Sequence, residues 1–221
     1  MKVVAVIADK GGVGKSTLSI HLACEASRRG LTSVIVGCDP QACSELWFDL
    51  RNKGREEKRP PAVLTTQAAR VPNIVENAKA NDVDFLVIDI GANSDNGATY
   101  AVRAADYILI PTSPRIFDIN GVEEMARKAR EYKKPYSVVL NRLMRGPYRT
   151  EAESYLTAWG HPVCPHALYE RVAFANCLSS GLTAVESEPE STAAKEFKAF
   201  YEWLEQKLEI VPGVIEEVHV G

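Results

Sequence analysis

The sequence predicts an α/β fold, a mostly parallel central sheet with helices on both faces. Short apolar, β-branched runs recur along the chain and are almost continuously hydrophobic, as strands buried on both faces must be. Helix-length stretches separate them, and regular alternation of this kind implies crossover helices covering a parallel sheet. A chain of 221 residues with 46% hydrophobic and 25% charged residues also has enough apolar surface for one sizeable core.

The first strand is KVVAVIA (2–8), followed by a helix over 15–29. The second strand, TSVIVGC (32–38), leads to a helix over 41–52, with Asp39 available as its N-cap and Pro40 at its first position. RNKGREEKRPP (51–61) reads as a charged, proline-ended connector. A helix over 66–80 precedes the strand DFLVIDI (84–90), and a helix over 95–104 precedes DYILIPT (106–112). A helix over 119–133 leads to the strand YSVVLN (136–141), and helices over 149–159, 171–180 and 191–208 complete the pattern. The last of these places Phe197, Phe200, Tyr201, Leu204 and Leu208 on one face, a core-packing stripe, with Glu196, Glu202, Glu205 and Glu209 at the other positions. Residues 1–208 are expected to form a single domain and 209–221 a loose tail. With a strand beginning at residue 2, no N-terminal DNA-reading module is expected.

No apolar run approaches the ~20 residues a membrane-spanning helix needs. Cys24, Cys38, Cys43, Cys164 and Cys177 form no C-x-x-C pair and sit in apolar surroundings, which fits a reducing cytoplasm. The net charge of −3 excludes a general polyanion binder, so any nucleic-acid contact requires a local basic patch.

The chemistry begins at DKGGVGKST (9–17), where a strand gives way to a helix. Gly11, Gly12, Val13 and Gly14 let backbone N–H groups approach phosphate oxygens at a helix N-terminus, so the fold class narrows to a P-loop NTPase. Lys15 reaches the β- and γ-phosphates, Ser16 offers a hydroxyl to Mg²⁺, and Thr17 donates to the α-phosphate. Asp9 stands where the standard loop has its first glycine, so the loop is a variant, and Lys10 is a second lysine ahead of Lys15. Two strand ends supply carboxylates. Asp89 is placed to hold Mg²⁺ through water, and Asp39 to orient an attacking water or join the metal shell. In VVLNRLM (138–144), Met144 replaces the aspartate that a guanine-specific site places three residues after the asparagine. Asn141 can pair with the adenine edge, so ATP is expected over GTP.

DKGGVGKST, CDPQ, VIDIGA and VLNR, in that order, resemble the ParA/MinD family of deviant-Walker-A ATPases, and the likeness runs through YERVAFANCLSSGLTAVE (169–186). The resemblance implies a homodimer closed face to face around two ATP molecules, with Lys10 reaching the partner's phosphates. It also implies slow hydrolysis awaiting an activator. One departure is Gly37, where many relatives carry the first aspartate of D-x-D-P-Q, which leaves the hydrolytic role to Asp39 alone.

Four outputs compete within this resemblance. An amphipathic membrane helix fits poorly, because the acidic polar face of 191–208 is repelled by anionic lipid, and no membrane partner is expected. An iron–sulfur redox role needs cysteines after the second aspartate strand, and residues 90–115 contain none. A metabolic ligase would have no use for Lys10. Non-specific DNA binding by the ATP dimer remains, with basic clusters at 51–59, 127–134 and 141–149. Arg142, Arg145 and Arg149, with Arg171, are the expected contacts, and a cargo-bound ParB-like protein is the expected activator of a nucleoid-associated ATPase.

Overall fold

The computed structural model describes residues 1–92 and 94–210; residues 211–221 of the expected tail lie outside them. The strands are β1 (Lys2–Val6), β2 (Ser33–Cys38), β3 (Ala62–Thr65), β4 (Phe85–Ile90), β5 (Tyr107–Thr112) and β6 (Tyr136–Leu140). They form one sheet in the order β3-β2-β4-β1-β5-β6, and every pairing is parallel. The helices are α1 (Lys15–Arg28), α2 (Cys43–Asn52), α3 (Val71–Ala80), α4 (Asp95–Ala104), α5 (Ile116–Asn120), α6 (Val122–Glu131), α7 (Tyr148–Ala158), α8 (Val172–Ser179), α9 (Ala184–Ser187) and α10 (Thr192–Leu208).

Alternate strand residues face opposite layers. Val3, Ala5, Leu86, Ile88 and Ile108 pack against α3, α4 and α6, while Val4, Val6, Phe85, Val87 and Leu109 pack against α1 and α10. This explains the continuous hydrophobicity of the strands, each of which must satisfy two apolar layers. The expected core stripe of α10 is buried throughout, from Phe197 to Leu208.

Several expectations are corrected. Strand β3 adds to the five strands expected from the sequence; it is a four-residue edge strand, mostly exposed, and too short to show a periodicity. The helix expected over 119–133 is broken at Gly121 into α5 and α6. Residues 66–80 open with a 3₁₀ turn at Ala68–Arg70 before α3. Asp39 and Pro40 do not cap α2, which begins at Cys43 with Ala42 at its N-cap. Glu205 does not lie on a solvated face. It is buried, and Arg29 Nη1 donates to its carboxylate at 2.7 Å while the same guanidinium holds Glu25 at 3.0 Å.

The register carries the functional geometry. Val6 and Gly37 both stand beside Asp89 in the parallel ladders, so the loops after β1, β2 and β4 open at one edge of the sheet. Two positions there are governed by backbone conformation. Ala42 has φ +50, a left-handed geometry that costs an L-residue about 1 kcal/mol relative to glycine. Ala42→Gly is therefore expected to raise stability by about 0.5–1 kcal/mol in urea unfolding. Gly181 has φ +67, and a Cβ there would stand 2.4 Å from the backbone of Arg51. Gly181→Ala should lower stability by about 2 kcal/mol or more, and an unchanged unfolding midpoint would refute the close approach.

Candidate functional site

The loop from Ile7 to Gly14 joins β1 to α1 at the open edge of the sheet. Gly12 (φ +75) and Gly14 (φ +89) take conformations that favour glycine, and a Cβ on Gly14 would fall 2.4 Å from Asn141 Nδ2. Three of the loop's carbonyls are tied down. Lys15 Nζ donates to Lys10 O at 2.9 Å, Arg142 Nη1 to Gly12 O at 2.7 Å, and Asn141 Nδ2 to Val13 O at 2.8 Å. Among the described residues, the backbone N–H groups from Gly11 to Thr17 have no intramolecular acceptor. Gly11, Gly12, Gly14, Lys15, Ser16 and Thr17 line a cavity of about 650 Å³ at the positive end of α1. Open amides at a helix N-terminus make an anion site, and their number suits a polyphosphate.

The charges around the loop are mutually dependent. Lys15 is 6% exposed, and burial lowers its pKa against the pull of Asp89, Asp39 and Asp9. Asp89 is fully buried. Burial raises its pKa to about 6, although the hydroxyls of Ser16 and Ser44 act to lower it. Ser44 Oγ donates to Asp89 Oδ2 at 2.8 Å, while Asp89 Oδ1 has no partner. That orphaned acceptor beside the Ser16 hydroxyl fits a hydrated magnesium ion. Among the described residues no His, Cys, Asp and Glu side chains cluster to hold a metal by themselves, so such an ion would depend on Ser16, water and phosphate oxygens. Asp39 lines the same cavity, and its Oδ1 accepts the Gln41 N–H at 2.9 Å. A Cβ on Gly91 would stand 3.2 Å from the Asp39 carboxyl, so glycine permits this approach of β4 to the loop after β2.

The geometry thus brings Gly11, Gly12, Gly14, Lys15, Ser16, Thr17, Asp39, Asn141 and Arg142 to one cavity, with Asp89 beneath it. Val13, between Gly12 and Gly14, is buried. Lys10 does not line the cavity; its side chain is half exposed and only loosely approaches Asp9, at 4.0 Å. The expected cluster of four arginines separates. Arg142 spans Gly12 and Glu170, Arg149 is held by Glu153 and the Pro165 carbonyl, and Arg171 grips both oxygens of Glu196. Arg145 is exposed with no intramolecular partner among the described residues.

Ser44 and the deep wall of the cavity add to the residues that the sequence motifs mark. His21 lies four residues after Thr17, on the same face of α1, and this spacing was the available signal. Its ring lies 5.2 Å from both the Phe174 and the Phe197 rings. The Ala184 N–H can only donate to Nε2, at 3.1 Å, so the ring proton sits on Nδ1 and is donated to Thr17 O at 2.8 Å. One neutral imidazole thus links the first turn of α1 to α9.

Residues 4–184 match the family described as the CobQ/CobB/MinD/ParA nucleotide binding domain. The chain belongs to this family. It is 30% identical over 120 residues to Protein ParA of Rhizobium radiobacter, covering 53% of this chain and about half (51%) of that protein's length. It is 28% identical to Maintenance of carboxysome distribution protein A of Halothiobacillus neapolitanus over 82% of this chain and 86% of that protein. The fold is shared with septum site-determining protein MinD of Pyrococcus horikoshii, solved with Mg-ADP, at a TM-score of 0.78 and 19% identity over 97% of this chain and 99% of the other.

Within this CobQ/CobB/MinD/ParA domain, His21 gives a pH signature. Complete burial lowers its pKa to about 4, partly opposed by its bond to the Thr17 carbonyl. The unfolded chain binds its proton near pH 6.5 and the folded chain does not, so this histidine's contribution to stability is whole above pH 6.5. It is lost as pH falls towards 4, to a limit of about 3 kcal/mol. An imidazole ¹³C titration should place the His21 midpoint near pH 4. A midpoint between 6 and 7 would show the ring to be hydrated.

Proposed function

We propose that the protein is an ATP-dependent, dimerising ATPase of the ParA type that binds DNA without sequence preference in its ATP state and positions a plasmid, a chromosome region or another large cargo. The observation that carries this reading is Lys10. A cation beside a phosphate cradle would normally be spent on the bound phosphates. Lys15 already fills that place, while Lys10 does not line its own cavity and stands half in solvent. Its charge is available to phosphates held by a second copy, so ATP would sit between two subunits and its binding free energy would be assembly free energy.

In this reading the open amides of Gly11 to Thr17 cradle the phosphates, and Lys15 neutralises the β- and γ-oxygens. A bound magnesium ion would offset the charge that develops between those phosphates, held by Ser16 and, through water, by Asp89. Asp39 orients the attacking water, and the adjacent Gly37 supplies no second carboxylate, which supports slow hydrolysis that a ParB-like activator would accelerate. Asn141 keeps Oδ1 and one amide hydrogen for the adenine edge after its bond to Val13. Relatives named ParA and Maintenance of carboxysome distribution protein A support a positioning role in a cytoplasmic, nucleoid-associated setting. A membrane-bound output of the MinD kind has less support. The apolar face of α10 is spent on the core, and no described helix is long and apolar enough to cross a bilayer.

Lys10→Ala should retain ATP binding within about threefold while the ATP-dependent dimer disappears in sedimentation velocity; an intact dimer would remove the trans role. Mobility shifts with ATP, with ADP and without nucleotide, run beside flotation on anionic liposomes, test the output. ATP-dependent DNA retardation without liposome binding is expected, and the reverse pattern would overturn the DNA reading.

A further inference from the structure

The ties on the loop carbonyls have a geometric consequence. In a trans peptide the C=O and the following N–H point in opposite directions. Holding Gly12 O therefore aims the Val13 N–H, holding Val13 O aims the Gly14 N–H, and holding Lys10 O aims the Gly11 N–H. The last tie comes from within the loop, through Lys15. The other two come from consecutive residues after β6, on the far side of β5 from the loop.

Arg142 is built into that place. It has φ +53, an unusual conformation for a side chain of its size. Its two neighbours are fixed: Asn141 N donates to Thr112 O at 2.8 Å, and Leu143 is stapled to the segment before α8, its N–H donating to Leu168 O at 3.1 Å and its carbonyl accepting from Glu170 N at 2.9 Å. These bonds set Glu170 beside Arg142, where Nη2 meets its carboxylate at 2.6 Å and Nη1 remains on Gly12 O. The bond from Arg142 holds the Glu170 carboxyl below the usual carboxylate range, the shift expected when a guanidinium is engaged on it. The pair is exposed, so its contribution to global stability is small. Its effect falls on one peptide group. The Gly12–Val13 peptide follows a left-handed Gly12 and is fixed at its own carbonyl by Arg142, beside the Val13 carbonyl that Asn141 holds.

We propose that Arg142, held by Glu170, is a positioning residue that presets the Val13 amide for phosphate binding. This role deepens the nucleotide-binding reading and rests on it. It also gives Arg142 an intramolecular task in place of the DNA contact its sequence position suggested. The ligand class is the polyphosphate of a nucleoside triphosphate, and Arg142 need not touch it.

The test measures Mg-ATP and Mg-ADP affinity by calorimetry on the full chain. Arg142→Ala should weaken Mg-ATP by about tenfold, the scale of one charge-assisted hydrogen bond, without shifting the thermal midpoint by more than a degree or two. Glu170→Gln should weaken it by a few-fold, and the double variant should resemble Arg142→Ala alone, because the two residues act through one peptide. Millimolar guanidinium should recover part of the loss in Arg142→Ala and none in wild type. In the nucleotide-free protein, the ¹⁵N–¹H resonance of Val13 should shift in both single variants. Wild-type affinity in Arg142→Ala, or additive losses with an unmoved Val13 resonance, would overturn the positioning role. Failure of the wild-type protein to bind Mg-ATP would instead remove the nucleotide reading itself. Loss of DNA retardation with full nucleotide affinity would return Arg142 to a DNA contact and sink the inference.

Discussion

The site depends on a run of backbone amides that the fold leaves without partners. Buried or half-buried N–H groups are almost always paired, because an unpaired donor forfeits a hydrogen bond to water. Here Gly11 to Thr17 stay open at the end of α1, where the helix supplies positive potential. Such a loop would otherwise relax by turning its carbonyls inward or by extending the helix backwards. Lys15, Asn141 and Arg142 prevent the first by holding the carbonyls outward, and the left-handed glycines prevent the second. The surrounding charges follow from the same arrangement. Lys15 can be buried because Asp89 and Asp39 lie close, and the burial of Asp89 is tolerable because Ser16 and Ser44 meet its carboxylate.

A second set of contacts fastens the cavity walls together. Arg51 on α2 grips Glu186 through two bonds, and donates to Pro60 O at 2.8 Å and to Gly181 O at 2.9 Å. Glu186 also closes a capping box with Thr183 at the start of α9, one residue before the amide that His21 accepts. Removing a partner from such a group leaves a desolvated charge, so these contacts lock relative position more than they add net stability. The result is a continuous physical connection from α2, which follows Asp39, through α9 to the first turn of α1.

Much of this was legible in the sequence because its causes are local. Strands with two buried faces announce themselves by composition, and DKGGVGKST names its own chemistry. What was hidden arises from pairings distant in sequence. The edge strand β3 is defined by its neighbour β2 rather than by its four residues. Glu205 reads as a surface acid until Arg29, 176 residues away, is seen to meet it. The bond between His21 and the Ala184 N–H spans 163 positions. The arginines were misjudged for the same reason: a basic cluster in sequence says nothing about the carboxylates that the fold folds back onto it.

That last point changes the physics of the proposed DNA contact. An exposed ion pair contributes about 1 kcal/mol or less, so an arginine such as Arg149 can leave Glu153 for a DNA phosphate at little cost, but it also gains little. One subunit with a net charge of −3 and a few such cations cannot hold a polyanion by long-range attraction. Phosphate contacts add through counterion release, and each engaged cation multiplies the binding constant. Two copies on one duplex double the number of contacts, while the second copy's contacts form at high effective concentration. Weak, self-paired cations are thus compatible with a binding surface that is silent in a monomer and effective in a dimer, which is the behaviour a nucleotide-controlled assembly requires.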